Sequence, residues 1–136
     1  MTVAGFGFRR GATLASLQDA LASAQRSARS ASGAALPVTL LATVQDKARA
    51  PCLLALAAHL DLPVCAVAPA QIAIAPTLTE SEAVRALRHT GSVAEAAALA
   101  AAGPGGMLMQ PRSVSSDRLA TCALAVRTPF ERITWS

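Results

Sequence analysis

Three stretches of this chain carry residue types that hold anions. The first, Gly5-Phe6-Gly7-Phe8-Arg9-Arg10-Gly11-Ala12-Thr13, precedes an apolar pattern of helical spacing. Glycine lets a backbone come close to a ligand and take φ > 0, while open N–H groups at a helix start and two guanidinium forks donate to carboxylate or phosphate. A plain strand-to-helix turn whose arginines face water fits the same residues. The second stretch, Thr43-Val44-Gln45-Asp46-Lys47, holds the one lysine among twelve Lys and Arg residues. A compact ammonium whose pKa responds to its site is one reason to keep it there; chance retention in an arginine-rich chain is the other. In the third, Gly91-Ser92-Val93-Ala94-Glu95, the spacing is that of a capping box. The Ser92 hydroxyl then accepts from the Glu95 amide and the Glu95 carboxylate reaches back to the Ser92 amide. The Ser92 and Val93 amides also make an anion-binding helix start, worth about 0.3–1 kcal/mol at an exposed position. Glu95 would serve as a general base only in a dry site.

Several other chemistries lack their residues. No Gly-x-Ser-x-Gly elbow exposes a serine nucleophile. No Gly-Lys-Ser/Thr phosphate loop is present, and the Gly5 turn lacks the third glycine of a dinucleotide fingerprint. His59 and His89 fall toward predicted helix ends, where a cation suits the last carbonyls. Cys52, Cys65 and Cys122 are too far apart for a Cys-x-x-Cys site, and read as reduced, buried, small apolar residues. Neither a metal nor a cofactor is expected.

Twelve basic against eight acidic residues give a net charge of +4, which suits an acidic partner. Nucleic acid is not that partner. The aromatic residues are only Phe6, Phe8, Phe130 and Trp135, and the arginines are scattered, so there is no stacking platform and no basic tract. The 53% apolar content is largely alanine, and proline, glycine or charge interrupts every run before the roughly 20 residues a membrane span needs. With no signal-type amino terminus, a cytoplasmic, non-membrane protein is expected.

The elements that must position these residues follow from periodicity. Thr2 to Phe6 reads as a strand, and Thr13 caps a helix carrying Leu14, Leu17, Leu21, Ala24 and Ala28 at helical spacing. Pro37 to Ala42 reads as a second strand that delivers Thr43 and Lys47. Pro51 opens a helix with Leu53, Leu56, Ala57 and Leu60 on one face, and Val64 to Val67 is a third strand. A short helix is expected over 69–76. Two helices follow, over 81–90 and 93–102, divided by Gly91 in the left-handed conformation and ended by Gly103-Pro104-Gly105-Gly106. Met107 to Met109 and Leu119 to Val126 close the chain as two strands around a polar loop, Arg112 to Arg118. Strands alternating with helices imply parallel pairing with right-handed crossovers, hence a three-layer α/β/α fold with a mixed, mainly parallel sheet. One domain over 1–128 and a tail over 129–136 are expected. Ligands in such folds sit beyond the carboxyl ends of the strands, which groups Arg9, Arg10 and Gly11 with Thr43 and Lys47.

Taken together and in this order, the glycine-arginine turn, the Thr43–Lys47 loop and the segment Gly91-Ser92-Val93-Ala94-Glu95-Ala96-Ala97-Ala98-Leu99 resemble the CobE/CbiG C-terminal domain family of vitamin B12 biosynthesis. The resemblance extends from Val3 to about Val126. It implies a three-layer α/β domain with a role in building the corrin ring. Carried over by position, the family's loops fall on Gly5, Gly7, Phe8, Arg9, Arg10 and Gly11, on Thr43 and Lys47, and on Ser92, Val93 and Glu95. Two positions depart from the family pattern. Phe8 stands where members often carry cysteine, and Gln110-Pro111-Arg112 replaces the lysine usual after the penultimate strand, which leaves Arg112 as its only substitute there. The resemblance implies binding or carriage of an acidic tetrapyrrole intermediate, with other corrin-pathway enzymes as further partners. Its alternatives are hydrolysis of a cobalt-precorrin lactone, with Glu95 or Lys47 activating water, and a scaffold for pathway methyltransferases.

Overall fold

In the computed structural model, which describes residues 2–32, 37–68, 90–103 and 106–127, the chain runs β1 (Thr2–Phe8), α1 (Leu14–Ser32), β2 (Leu40–Val44), a 3-10 turn (Gln45–Lys47), α2 (Pro51–Leu60), β3 (Val64–Val67), α3 (Thr90–Ala102), β4 (Met107–Val114) and β5 (Ala120–Val126). The described strands form one sheet in the order β3-β2-β1-β5-β4. β2 is parallel to β1 and β3, whereas β5 is antiparallel to both β1 and β4. Only β5 therefore runs against the other described strands, and with two parallel and two antiparallel pairings the described sheet is mixed, as the sequence implies.

Successive side chains of a strand point to opposite faces. Ala4, Phe6 and Phe8 of β1 accordingly pack with Leu17, Ala20, Leu21 and Ala24 of α1 and with Leu53 and Leu56 of α2. Val3 faces the other way, toward Ala96, Ala97, Ala98 and Leu99 of α3. α1 starts in a reciprocal cap: Thr13 Oγ1 accepts the Ser16 N–H at 3.3 Å, and the Thr13 N–H donates to Ser16 Oγ at 3.1 Å. Pro51 occupies the first turn of α2, where its missing N–H has no intrahelical role. Burial pushes the Cys52 and Cys122 thiols above the ordinary cysteine value, as befits apolar packing positions.

α3 is a helix of small residues, with Ala94, Ala96, Ala97, Ala98 and Ala102 all buried. Its backbone presses directly on β1. A Cβ on Gly5 would stand 2.1 Å from the Ala94 carbonyl oxygen and 2.6 Å from the Ala98 nitrogen. The alanine excess in the composition thus serves a close helix-to-sheet approach, and no described helix is long and apolar enough to cross a membrane.

The structure corrects several boundaries. β1 continues through Gly7 and Phe8, because its pairing with β5 extends to Phe8 and Ala120. β2 starts at Leu40 instead of Pro37 and continues through Thr43 and Val44. β4 runs to Val114, well past Met109, and absorbs the extra length through register shifts between Leu108 and Gln110 and between Gln110 and Ser113. The backbone of Gly91 and Ser92 is helical within α3, so Gly91 is not a left-handed terminator and Ser92 does not stand ahead of the helix as its first cap. The short helix expected over 69–76, nearly all of the helix expected over 81–90, and the tail over 129–136 lie outside the described residues.

Candidate functional site

The parallel register of β1 and β2 ends at the Gly5–Ala42 pair. Beyond it, side chains from the end of β2 and from the 3-10 turn after it bond to the carbonyls of β1. Thr43 Oγ1 donates to the Phe6 carbonyl at 2.8 Å, and Lys47 Nζ donates to the Phe8 carbonyl with its ammonium 5.1 Å from the centre of the Phe8 ring. Thr43 braces β2 against β1, and Lys47 braces the following turn against the end of β1. Thr43 is fully buried, so Thr43→Val keeps the shape and strands an acceptor. We expect a loss of about 1–3 kcal/mol in urea unfolding, with the m-value unchanged.

On the opposite side of β1, its carboxyl end meets the end of β4 and the start of β5. A cleft of about 220 Å³ opens there, lined by Gly7, Phe8, Arg9, Arg112, Val114 and residues 118–121. Three exposed arginines from separate parts of the chain, Arg9, Arg112 and Arg118, share its wall. Each is held through its main-chain amide. Arg9 donates to the Leu119 carbonyl at 2.9 Å, Arg112 to Glu95 Oε2 at 3.1 Å, and Arg118 to the Ser115 carbonyl at 2.9 Å. Arg112 lies within the second β4 register shift, so its N–H turns to the Glu95 carboxylate on α3.

The connection from β4 to β5 is tied to α1. Asp117 accepts from Ser16 Oγ at 2.6 Å, from Ser115 Oγ at 2.5 Å and from the Leu119 N–H at 3.0 Å. Asp19 on α1 accepts from the Ser116 amide at 2.6 Å and the Ser116 hydroxyl at 2.7 Å. The Ser115 and Ser16 hydroxyls hold the Asp117 carboxyl below its ordinary value, and the Ser116 hydroxyl and amide do the same for Asp19. A carboxyl depressed in the folded state contributes stability above its unfolded value, near 3.9, and loses it as pH falls through the lower folded value. Protection of the Ser116 and Leu119 amides from hydrogen exchange is therefore expected to hold from neutral pH to about 4 and to collapse below it. Asp19→Asn together with Asp117→Asn flattens that acid step.

The family described as cobalamin synthesis G C-terminus matches residues 2–125. The chain belongs to this family. CobE, a protein from the cobalamin (vitamin B12) biosynthetic pathway, is 33% identical, with 92% of this chain and 89% of that one covered at a TM-score of 0.68. The cobalamin biosynthesis protein chiG from Agrobacterium tumefaciens is 41% identical, covering 94% and 99% at a TM-score of 0.65. A cobalamin biosynthesis protein G homolog from Sulfolobus solfataricus has the same fold at a TM-score of 0.66 and 18% identity, covering 93% of this chain and 37% of that one. No curated protein matches the chain.

The residues carried over from the CobE/CbiG family divide by position. Gly7, Phe8 and Arg9 line the cleft, and Arg10 and Gly11 form the exposed turn beside it, where Gly11 takes a φ of +96°. Gly5 does not face a ligand, because the α3 backbone occupies that space. Thr43 and Lys47 bond to β1 carbonyls, and neither is on the cleft wall. The backbone of Ser92 and Val93 lies in the first turns of α3, and Glu95 Oε2 accepts from the Arg112 amide. The far end of α3 meets Arg127, just past β5, through the Ala102 carbonyl at 3.5 Å, so the start of α3 lies at the same sheet edge as Arg9 and Lys47. The Phe8 ring under Lys47 packs with α1 and α2, on the face opposite α3. Sequence reasoning missed Arg118, Asp117, Ser16 and Ser115 as site elements. The signal was present in Ser115-Ser116-Asp117-Arg118, a serine and an aspartate spaced to bond their own turn.

Proposed function

We propose that this cobalamin-biosynthesis domain binds an acidic tetrapyrrole intermediate of corrin-ring synthesis across the carboxyl edge of its sheet, with Arg9, Arg112 and Arg118 receiving peripheral carboxylates. The observation that carries this reading is the convergence of those three arginines on one cleft. Their fixed main-chain amides lower the ordering cost of presenting the guanidinium forks, which match carboxylates bidentately. At about 220 Å³ the cleft is smaller than the roughly 300 Å³ at which pockets begin to engulf drug-sized molecules. Acetate or propionate arms therefore enter it, while the ring lies over its mouth beside the exposed Arg10. Arg112 takes the part of the lysine usual in the family.

A visible-absorption titration with hydrogenobyrinic acid tests this reading. Saturable binding is expected, weakening as salt screens the exposed arginines. Arg9→Ala is expected to raise the Kd by about five- to tenfold, equivalent to roughly 1 kcal/mol for a partly solvated charge-assisted pair. Absence of saturation, or an Arg9→Ala variant that binds as tightly as the parent, overturns it.

A further inference from the structure

Asp117 lies outside the cleft wall, yet three donors converge on its carboxylate, one of them from α1. Two of those donors, Ser16 and Ser115, are 1% and 2% exposed. The bonds surround a single unusual residue. Arg118 takes a φ of +62°, in the left-handed region that disfavours residues with a side chain. Its own amide donates to the Ser115 carbonyl at 2.9 Å, and the next amide, that of Leu119, donates to Asp117 Oδ1. Ser115 Oγ, which donates to the same Asp117 oxygen, also accepts from the Ala120 N–H at 3.1 Å. The backbone on both sides of Arg118 is thus pinned, and the pin is anchored to α1.

Glycine fits such a φ without strain. Here the strained position bears one of the charges on the cleft wall. The geometry points to Asp117 as a positioning residue that clamps the β4–β5 loop to α1 through Ser16 and so holds the Arg118 guanidinium at the cleft. This inference rests on the binding reading given above, in which Arg118 receives a carboxylate.

The test is a double-mutant cycle on the full chain, titrated with hydrogenobyrinic acid, joined to hydrogen exchange of the ligand-free protein. Asp117→Ala is expected to raise the Kd about fivefold, and to add nothing further once Arg118→Ala is present. Asp117→Asn, which keeps the acceptor for Leu119, recovers most of the affinity. Arg118→Gly relaxes the backbone and keeps the fold while losing the affinity that Arg118→Ala loses. In the exchange arm, Asp117→Ala speeds the Arg118 and Leu119 amides and leaves α3 unchanged. Ser16→Ala removes one donor to Asp117 together with the acceptor of the Thr13 N–H, and moves both readouts the same way, which serves if Asp117→Ala does not fold; Thr13→Ala, which disturbs the cap alone, leaves both readouts at the parent value. Unchanged affinity in Asp117→Ala, or an equal loss with and without Arg118, overturns the positioning role. If the parent protein fails to bind the ring acid, the binding reading falls, and the exchange arm then decides: unaltered Arg118 and Leu119 exchange in Asp117→Ala removes the clamp, and faster exchange confined to the loop upholds it.

Discussion

Gly5→Ala lowers the stability of the fold by about 3 kcal/mol, because the added Cβ meets backbone atoms of α3 that no rotamer change moves away. At the size of this domain, that loss lowers the melting temperature by roughly 10 °C. The matched control is Gly11→Ala, where a Cβ has nothing within 4 Å and the cost is the positive φ alone, about 1–2 kcal/mol. Denaturant unfolding of the two variants separates the causes. Equal effects would show that α3 does not press on β1 as described.

Combined replacement of Arg9, Arg112 and Arg118 by alanine is expected to weaken binding of the acidic ring by about 100-fold, while leaving the melting temperature within a few degrees of the parent. The two expectations have different origins. Alanine keeps the main-chain N–H through which each residue is tied to the fold, so the anchoring bonds survive. The ligand loses three guanidinium partners, each worth on the order of 1 kcal/mol where solvent still reaches it. The salt dependence of binding flattens in parallel, since the screened charges are gone. A triple variant with undiminished affinity would move the ligand to another surface, whereas one that unfolds would reveal a structural duty for these side chains.

The glycine-arginine turn shows how far local reading reaches. Its Arg9–Ala12 bond at 3.0 Å, the left-handed Gly11 and the Thr13 cap all follow from residues close together in the chain. Gly5 reads from sequence as a point where the backbone approaches a ligand, and the structure puts a helix there. The partner that comes close is α3, and its alanines are far away in sequence. Lys47 shows the same limit. Its isolation in the composition marked it out, yet only the parting of β1 and β2 explains why it bonds to the Phe8 carbonyl and covers the Phe8 ring.

Glu95 marks where local pattern misleads. A serine three residues before a glutamate satisfies the capping-box rule, and that rule assumes a helix that begins there. The backbone of α3 already includes Ser92, and the Glu95 carboxylate meets the Arg112 amide in the β4 irregularity. A reciprocal cap is seen between Thr13 and Ser16, with a serine in the returning position.

The sequence by itself determined the alternation of strands and helices, the caps and turns, the basic character and the family, because each depends on short-range periodicity or on linked motifs read in order. Tertiary structure alone decided which arginines act together. β5 inserts antiparallel between β1 and β4, and that pairing carries Arg112 and Arg118 to the edge where Arg9 leaves β1. No local window contains such a contact, since its free energy comes from burying Cys122 and Leu124 with Phe6 and α1.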